Sequence, residues 1–362
     1  NLPNFNQTVE DEKKRIKILE ERCLQTGGPG VWELLGPVLT KYVDTFREKD
    51  EYATHVDPKV IEPVKIVLKE GVDESKISWN VKAQKKRKYS QEELEIIRKM
   101  RDDLLKNRII FSGNTDWRSP CVVIEKKDGT KKIAIDYRML NTFLLPLREP
   151  LPDTKQMLQK ISMYKYYITM DIKSAYWQIL VHEDSRKYTA TEFADFGTYC
   201  WKGMPFGIQT APAYLIRAMN KILGHLPFVI VYMDDIVIML NSKEEACEKL
   251  TRTLECLKKA RLKIKPSKCE FLVQKTIILN CEVSHGKIGK NVLKIGNVDK
   301  FEVPKDKQSL QRFLGFMNYF RSFILDFAKI TSPLYERVGN KDFEWTPECQ
   351  KAIETLKREI KR

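Results

Sequence analysis

The chain has 362 residues, 42% hydrophobic and 10% aromatic, enough to bury a sizeable core and more than a single core usually supports. It contains no apolar run of about 18 residues and no signal-peptide pattern, so a soluble, intracellular protein of several parts is expected. Its eight cysteines are dispersed without a CxxC pair or nearby His, signalling neither a zinc site nor a disulfide framework.

Basic residues outnumber acidic ones 64 to 49, a net charge of +15. That excess favours polyanionic partners through counterion release, nucleic acid foremost, although a generic solvated surface has the same balance. The first residue is Asn1 rather than Met, as expected of a processed or excised piece.

Residues 1–85 open with a charged amphipathic segment, Val9 to Cys23, then Gly27-Gly28-Pro29-Gly30, then a helix-like VWELLGPVLTKYVDTF, and carry no identifiable chemistry. Lys82, Lys85, Lys86, Arg87 and Lys88 form a basic cluster that reads as a nucleic-acid contact or equally as a nuclear-localisation patch. From Gln91 to Asn107, Leu94, Ile97, Met100 and Leu104 fall at helical spacing. CVVIEKKDGTKKIAIDYRML reads as strand, Asp128-Gly129 turn, strand. The lysines at its tip, Lys126, Lys127, Lys131 and Lys132, suit a triphosphate clamp or a solubilising edge equally.

YKYYITMDIKSAYWQILV places Asp171 directly after a strand-like run, where a lone acid usually caps a helix or turn. GMPFGIQTAPAYLIRAMNKIL gives a turn, an N-cap candidate in Thr210, Pro212 in the first helical turn, and a buried face of Leu215, Ala218, Met219, Ile222 and Leu223. Gly207 would let a flat partner approach the backbone, or it serves only as a turn device.

FVIVYMDDIVIML sets adjacent acids, Asp234 and Asp235, inside an apolar run. Buried carboxylates are costly and two neighbours repel, so something must compensate them. The segment reads as a hairpin turning at Met233-Asp234-Asp235, either a plain turn or one that presents carboxylates to divalent cations. If the strand ending at Asp171 pairs with this hairpin, three acids converge. Two Mg²⁺ ions held between them would activate a 3′-hydroxyl and stabilise leaving pyrophosphate. Further on, Leu310, Phe313, Leu314, Met317, Phe320, Phe323, Ile324 and Phe327 predict one helical run, with Gln308, Gln311, Arg312, Asn318 and Arg321 on its other faces.

In order, TMDIKSAYWQI, GMPFGIQTAPAYLI, VYMDDIVI, LKIKPSKCEF and LQRFLGFMNYFRSFI resemble the reverse transcriptase of gypsy-type LTR retrotransposons and its retroviral and pararetroviral relatives. The resemblance runs from Glu92 to the C-terminus. It implies an α+β, right-hand polymerase with a βαββαβ-like palm. The expected parts are an N-terminal extension (1–85), fingers (86–165 and 179–210), palm (166–178 and 211–295), and thumb with the start of a connection (296–362). It implies an RNA- and DNA-templated DNA polymerase using two Mg²⁺ ions, or Mn²⁺, with template–primer and dNTPs as partners and no membrane. Monomer and homodimer stay open, and the expected location is a cytoplasmic virus-like particle or the nucleus.

Carried over by residue, the resemblance makes Asp171, Asp234 and Asp235 metal ligands, with Ile172 in the metal and substrate sets. Tyr176 would be the aromatic gate that rejects a 2′-hydroxyl. Phe206 and Gly207 would lie near the incoming nucleotide and template, and Lys127 and Lys132 would contact the triphosphate. Lys268 would protonate leaving pyrophosphate. Arg138, the primer-grip residues Leu279, Asn280 and Cys281, and Gln311 and Asn318 on the thumb would contact nucleic acid.

Three positions depart from the family. Leu279-Asn280-Cys281 stands where Leu-Gly-His is usual, Lys132 where many relatives have Arg, and Thr210 where Asn is frequent. The chain stops soon after Phe343-Glu344-Trp345, so no RNase H activity is expected. Two other classes stay open: a domesticated binding module, against which the retained acids argue, and a non-catalytic structural subunit, which would also keep them.

Overall fold

The computed structural model describes residues 5–48, 55–84, 87–125, 131–147, 149–150, 153–279, 281–290, 298–318, 320–339 and 343–361. They form two units, one of Asn1–Asp153 with Tyr164–Gln274, the other of Thr154–Met163 with Lys275–Arg362.

In the first unit, α1 (Phe5–Arg22) runs into a π-helical turn, Cys23–Gly27, and α2 (Val31–Lys41) follows. Leu19 and Cys23, then Val31, Leu35 and Leu39, are buried at four-residue steps, so each segment lays one stripe on the core. The short α3 (Trp79–Lys82) precedes α4 (Gln91–Lys106), the helix expected from its periodicity. Ser90 and Glu93 close a capping box at its start and satisfy two otherwise orphaned N–H groups.

Next come β1 (Ile110–Ser112), β2 (Ser119–Glu125), β3 (Lys131–Ile135) and α5 (Arg138–Phe143), then α6 (Thr154–Ser162) of the second unit. β4 (Tyr166–Ile172), β5 (Thr191–Glu192), β6 (Thr198–Trp201), α7 (Ala211–Leu223), β7 (Val229–Tyr232), β8 (Asp235–Leu240), α8 (Ala246–Lys259) and β9 (Ile264–Val273) complete the first unit. One sheet has the order β1-β6-β5-β2-β3 and packs Cys121 and Trp201 against Ile97 and Leu104 of α4. The other has the order β7-β8-β4-β9, and its apolar side chains share a core with α7 and α8.

β2 and β3 pair antiparallel, as the Asp-Gly signal predicts, with Glu125 opposite Lys131; the tip at 126–130 lies outside the described residues. Thr210 holds the N-cap position of α7 without acting as a cap. Its backbone is already helical (φ −87°, ψ −9°), whereas a capping hydroxyl needs an extended residue, and its buried Oγ1 has no hydrogen-bond partner among the described residues. Within the described part of residues 1–85, Phe46 bridges Ile264, Val64 bridges Val181, Leu68 bridges Leu144 and Ala83 bridges Arg118, so the segment is stitched onto the unit at four places.

The second unit packs α6 on a meander of β10 (Lys275–Ile278), β11 (Cys281–Ser284) and β12 (Lys287–Lys290). Three helices follow, α9 (Lys307–Asn318), α10 (Phe327–Gly339) and α11 (Pro347–Lys361). The single helical run predicted across 310–327 is broken. α9 ends at Asn318, a 3₁₀ turn spans Arg321–Phe323, and Asp326 takes φ +56° before α10. The apolar spacing survives the break because Phe320 and Ile324, on either side of the turn, also plug the helical core. Among the described residues no helix is long and apolar enough to cross a membrane.

Candidate active site

β4 and β8 are nearly continuous β-branched and apolar runs, and Ile168, Met170, Ile236 and Ile238 are at most 1% exposed. Such strands lie in the middle of a sheet, which fixes whatever they carry at their ends. They pair antiparallel in a register that sets Asp171 opposite Asp235, and the Ile172 N–H donates to the Asp234 carbonyl at 2.8 Å. β7 pairs with β8 as the expected hairpin, with Tyr232 opposite Asp235. Its turn is therefore Met233-Asp234 alone, one residue shorter than expected, and Met233 adopts φ +55°, a conformation uncommon for a side chain of its size. Asp171, Asp234 and Asp235 thus share one end of the sheet.

On the other side of β4 the ladder with β9 slips. Thr169 opposes Glu270, but Asp171 opposes Lys265, so two steps along β4 correspond to five along β9 and Pro266 to Cys269 bulge out. The bulge returns Lys268 to the acids, and its Nζ donates to Asp171 Oδ2 at 3.0 Å.

Desolvation, followed by the charges of Asp234 and Asp171, pushes the Asp235 carboxyl up to about 6. Asp171 is also raised, by desolvation first and by Asp234, against the opposing pull of Lys268. Lys268 is raised by its bond to Asp171. The sheet end therefore holds more negative charge than one lysine neutralises, the electrostatic demand a hard divalent cation meets. Among the described residues no three or more His, Cys, Asp or Glu side chains are gathered closely enough to hold a metal ion by themselves. An open carboxylate set suits Mg²⁺, which keeps waters and shares its remaining positions with substrate phosphates.

Ser174, at φ +45°, turns the chain after β4 into a 3₁₀ turn, Ala175–Gln178. Tyr176 on that turn feels the Asp234 charge, which with the larger effect of desolvation raises its phenol. Its ring meets that of Phe206 edge-on, centroids 5.0 Å apart at 78°, and the Phe206 side chain is half exposed. Gly207 has φ +98°, and a Cβ there would lie 3.3 Å from both the Ile135 carbonyl and the Tyr137 ring, so only glycine fits comfortably.

Several supporting residues escaped the sequence reading. Asn141 clamps the glycine turn: its Nδ2 donates to Gly207 O, and its Oδ1 accepts from Gln209 N, each at 2.9 Å. Buried Gln178 ties the loop after Asp171 to the start of β9, donating to the Lys173 and Lys263 carbonyls and accepting from Lys263 N at 2.7 Å. Asp136 holds Arg138 bidentately, 2.8 Å on each arm, with Arg87 at 2.6 Å, and these cations keep its carboxyl far below the usual range. Nothing in their local sequence marks Asn141, whose partners lie 66 and 68 residues away, or Gln178, which reaches Lys263 85 residues away.

The structure therefore gathers Asp171, Ile172, Tyr176, Asp234, Asp235 and Lys268 at one sheet end, with Phe206 and Gly207 against Tyr176 and the β3 end. Arg138 is largely exposed beside Asp136. Two members of the basic cluster are engaged internally, Lys82 with Asp116 and Arg87 with Asp136. Lys127 and Asn280, and the side chain of Lys132, lie outside the described residues. In the second unit Leu279, at φ +54°, starts the turn between β10 and β11, in which Ile278 opposes buried Cys281. Gln311 and Asn318 are exposed on α9.

The family described as reverse transcriptase (RNA-dependent DNA polymerase) matches residues 124–317, which include all three acids and Lys268. The Tf2-3 transposon polyprotein of Schizosaccharomyces pombe is 34% identical over 258 residues, 70% of this chain and 19% of that polyprotein. The retrovirus-related Pol polyprotein from transposon 412 of Drosophila melanogaster is 28% identical over 369 residues, 99% of this chain and 29% of the polyprotein. The chain thus spans less than a third of the length of either relative.

Among solved structures, a foamy viral protease-reverse transcriptase in complex with double-stranded DNA superposes with a TM-score of 0.84 at 21% identity, covering 95% of this chain and 59% of that one. The foamy viral protein in complex with an RNA/DNA hybrid gives 0.83 at 20%, covering 95% and 46%. The fold is accordingly the α+β right-hand polymerase fold. With the family match extending over more than half its length, the chain belongs to the reverse transcriptase family, of the gypsy-type LTR-retrotransposon kind.

Proposed function

We propose that this chain extends a primer 3′-hydroxyl with deoxynucleotides on an RNA or DNA template, by in-line phosphoryl transfer. The observation that carries the reading is the strand register that sets Asp171 opposite Asp235, beside Asp234 in the turn, with Lys268 returned to them by the bulge. Asp171, Asp234, Asp235 and the Ile172 carbonyl would hold two Mg²⁺ or Mn²⁺ ions, which supply Lewis-acid stabilisation of the attacking and leaving oxygens. Lys268 Nζ carries the proton that the departing pyrophosphate oxygen takes up. The Tyr176 ring, buttressed by Phe206, forms the floor under the sugar and clashes with a 2′-hydroxyl. Gly207, held at φ +98° against Ile135 and Tyr137, shapes the turn near which the incoming nucleotide and template would lie.

Lys127 and Lys132 serve the triphosphate, and Arg138 the template. In the second unit, the turn at Leu279 to Cys281 grips the primer, while Gln311 and Asn318 follow the duplex through its minor groove, a mode tolerant of sequence. Fingers, palm and thumb divide as the resemblance implies. A cytoplasmic, particle-bound site of action with access to the nucleus accords with the retroelement relatives.

The test is primer extension on a homopolymer template with Mg²⁺ or Mn²⁺. Extension by the chain, lost in Asp234→Asn with template–primer binding retained, is the expected result. Binding without extension under either metal overturns the reading.

A further inference from the structure

The bulge that delivers Lys268 creates a backbone problem. Residues Pro266 to Cys269 leave the β4 ladder, and β9 is the edge strand of its sheet, so their polar groups need partners elsewhere. Those partners come from the N-terminal segment, to which the sequence assigns no chemistry. The Ser267 N–H donates to Glu48 Oε2 at 3.1 Å and the Ser267 hydroxyl to Glu48 Oε1 at 2.7 Å. On the other side, Arg22 Nε donates to the Cys269 carbonyl at 2.8 Å. The residues immediately before and after Lys268 are thus each held by a charged side chain more than 200 positions away in sequence.

Either end of β9 is fixed by the same segment. Phe46 bridges Ile264, and the Arg47 N–H donates to the Ile264 carbonyl at 2.8 Å. The Phe271 N–H donates to Thr26 Oγ1 at 2.9 Å. Gly27 lies so close to this strand that a Cβ would fall 2.3 Å from the Phe271 carbonyl.

We propose that residues 22–48 are a brace for the active site, in which Arg22 and Glu48 act as positioning residues that fix the β9 bulge and so aim Lys268 at Asp171. For its catalytic consequence the proposal rests on the polymerase reading, but the brace itself does not. Its structural half is read by amide hydrogen exchange over residues 264–273, without any turnover. Exchange there is expected to accelerate on the order of tenfold in Glu48→Ala and Arg22→Ala, with exchange over β8 unchanged. Unchanged exchange over β9 overturns the brace.

The catalytic half is read by single-turnover incorporation at saturating dNTP. Glu48→Ala is expected to slow incorporation about tenfold with little change in nucleotide affinity, since a small misplacement of a proton donor acts on the chemical step. In a Lys268→Ala background the same substitution should cost less than about twofold, because it acts through Lys268. Equal losses in both backgrounds would show a general structural effect and overturn the positioning role. Glu48→Gln, which keeps one acceptor, gives a milder variant should Glu48→Ala fail to fold. If the unmodified chain does not extend primers, the polymerase reading fails, and exchange alone then decides the brace.

Discussion

Asp235→Asn should make the metal-free protein more stable at neutral pH while abolishing its activity. The Asp235 carboxyl moves from an ordinary 3.8 to about 6 on folding, through desolvation and the charges of Asp234 and Asp171. Below pH 4 the group is protonated in both states and costs nothing. Between about 4 and 6 the folded state binds the extra proton, so stability falls as pH rises, and above 6 the full penalty is present. At full strength the shift corresponds to ~3 kcal/mol. Although desolvation leads the causes, the residue as a whole is exposed by surface area, so solvent screening reduces this to about 1 kcal/mol.

Asn cannot ionise, so the variant should lose that part of the pH slope. The assay is urea or thermal unfolding in chelator from pH 4 to 7.5, taking the difference between variant and unmodified chain so that other titrating groups cancel. Mg²⁺ should then raise the stability of the unmodified chain more than that of the variant, by mass action on the folded state. Parallel pH profiles, or a variant less stable at pH 7.5, would refute the argument that uncompensated negative charge gathers at this sheet end.

Tyr176→Val should raise ribonucleotide relative to deoxynucleotide incorporation by roughly tenfold or more, and an unchanged ratio in competition assays would remove Tyr176 from the sugar site. Gly207→Ala should cost about 1–3 kcal/mol through its φ of +98° and its close contacts, read by thermal unfolding, and should raise the KM for dNTP; a neutral variant would refute the close-approach account. Gln178→Ala leaves two carbonyls and one N–H without a side-chain partner and should cost about 2–3 kcal/mol, measured by urea unfolding, with a loss under 1 kcal/mol counting against it. Replacing both Gln311 and Asn318 with Ala should shorten the products made in a single binding event while altering stability by no more than about 0.5 kcal/mol. Products of unchanged length would mean that α9 does not track the duplex.

The acids were legible because each interrupts a strand-forming run, and an apolar strand that ends in a carboxylate stands out against its surroundings. Pairing the Asp171 strand with the Asp234-Asp235 hairpin needed only the ordinary antiparallel rule, and β4 and β8 obey it. What period and propensity could not yield were features fixed by contacts distant in sequence. The slip between β4 and β9 is one, since LKIKPSKCEF reads as a strand whether or not it bulges. The anchoring of that bulge by Arg22 and Glu48 is another. The break after Asn318 was hidden for the opposite reason, because Phe320 and Ile324 keep the helical rhythm while serving as plugs on either side of a turn.

The same sequence thus follows local rules wherever the core is built and breaks them where the carboxylates meet. Met233 is forced to positive φ in a two-residue turn, a register slips on an edge strand, and three like charges share one sheet end. Each is unfavourable by itself, by about 1–3 kcal/mol for the backbone strain. They persist because the strands beneath are held by burial: Ile168, Met170 and the run from Ile236 to Leu240 are at most 1% exposed. A one-residue slip of β8 that set Ile236 opposite Asp171 would relieve the facing acids but would exchange Ile236 and Ile238, which share a core with Ile168 and Met170, for Val237 and Met239, and both buried faces would have to repack. The hydrophobic pattern therefore enforces the electrostatic conflict that a divalent cation would relieve. Substitutions that loosen this core should accordingly lower metal affinity before they unfold the chain.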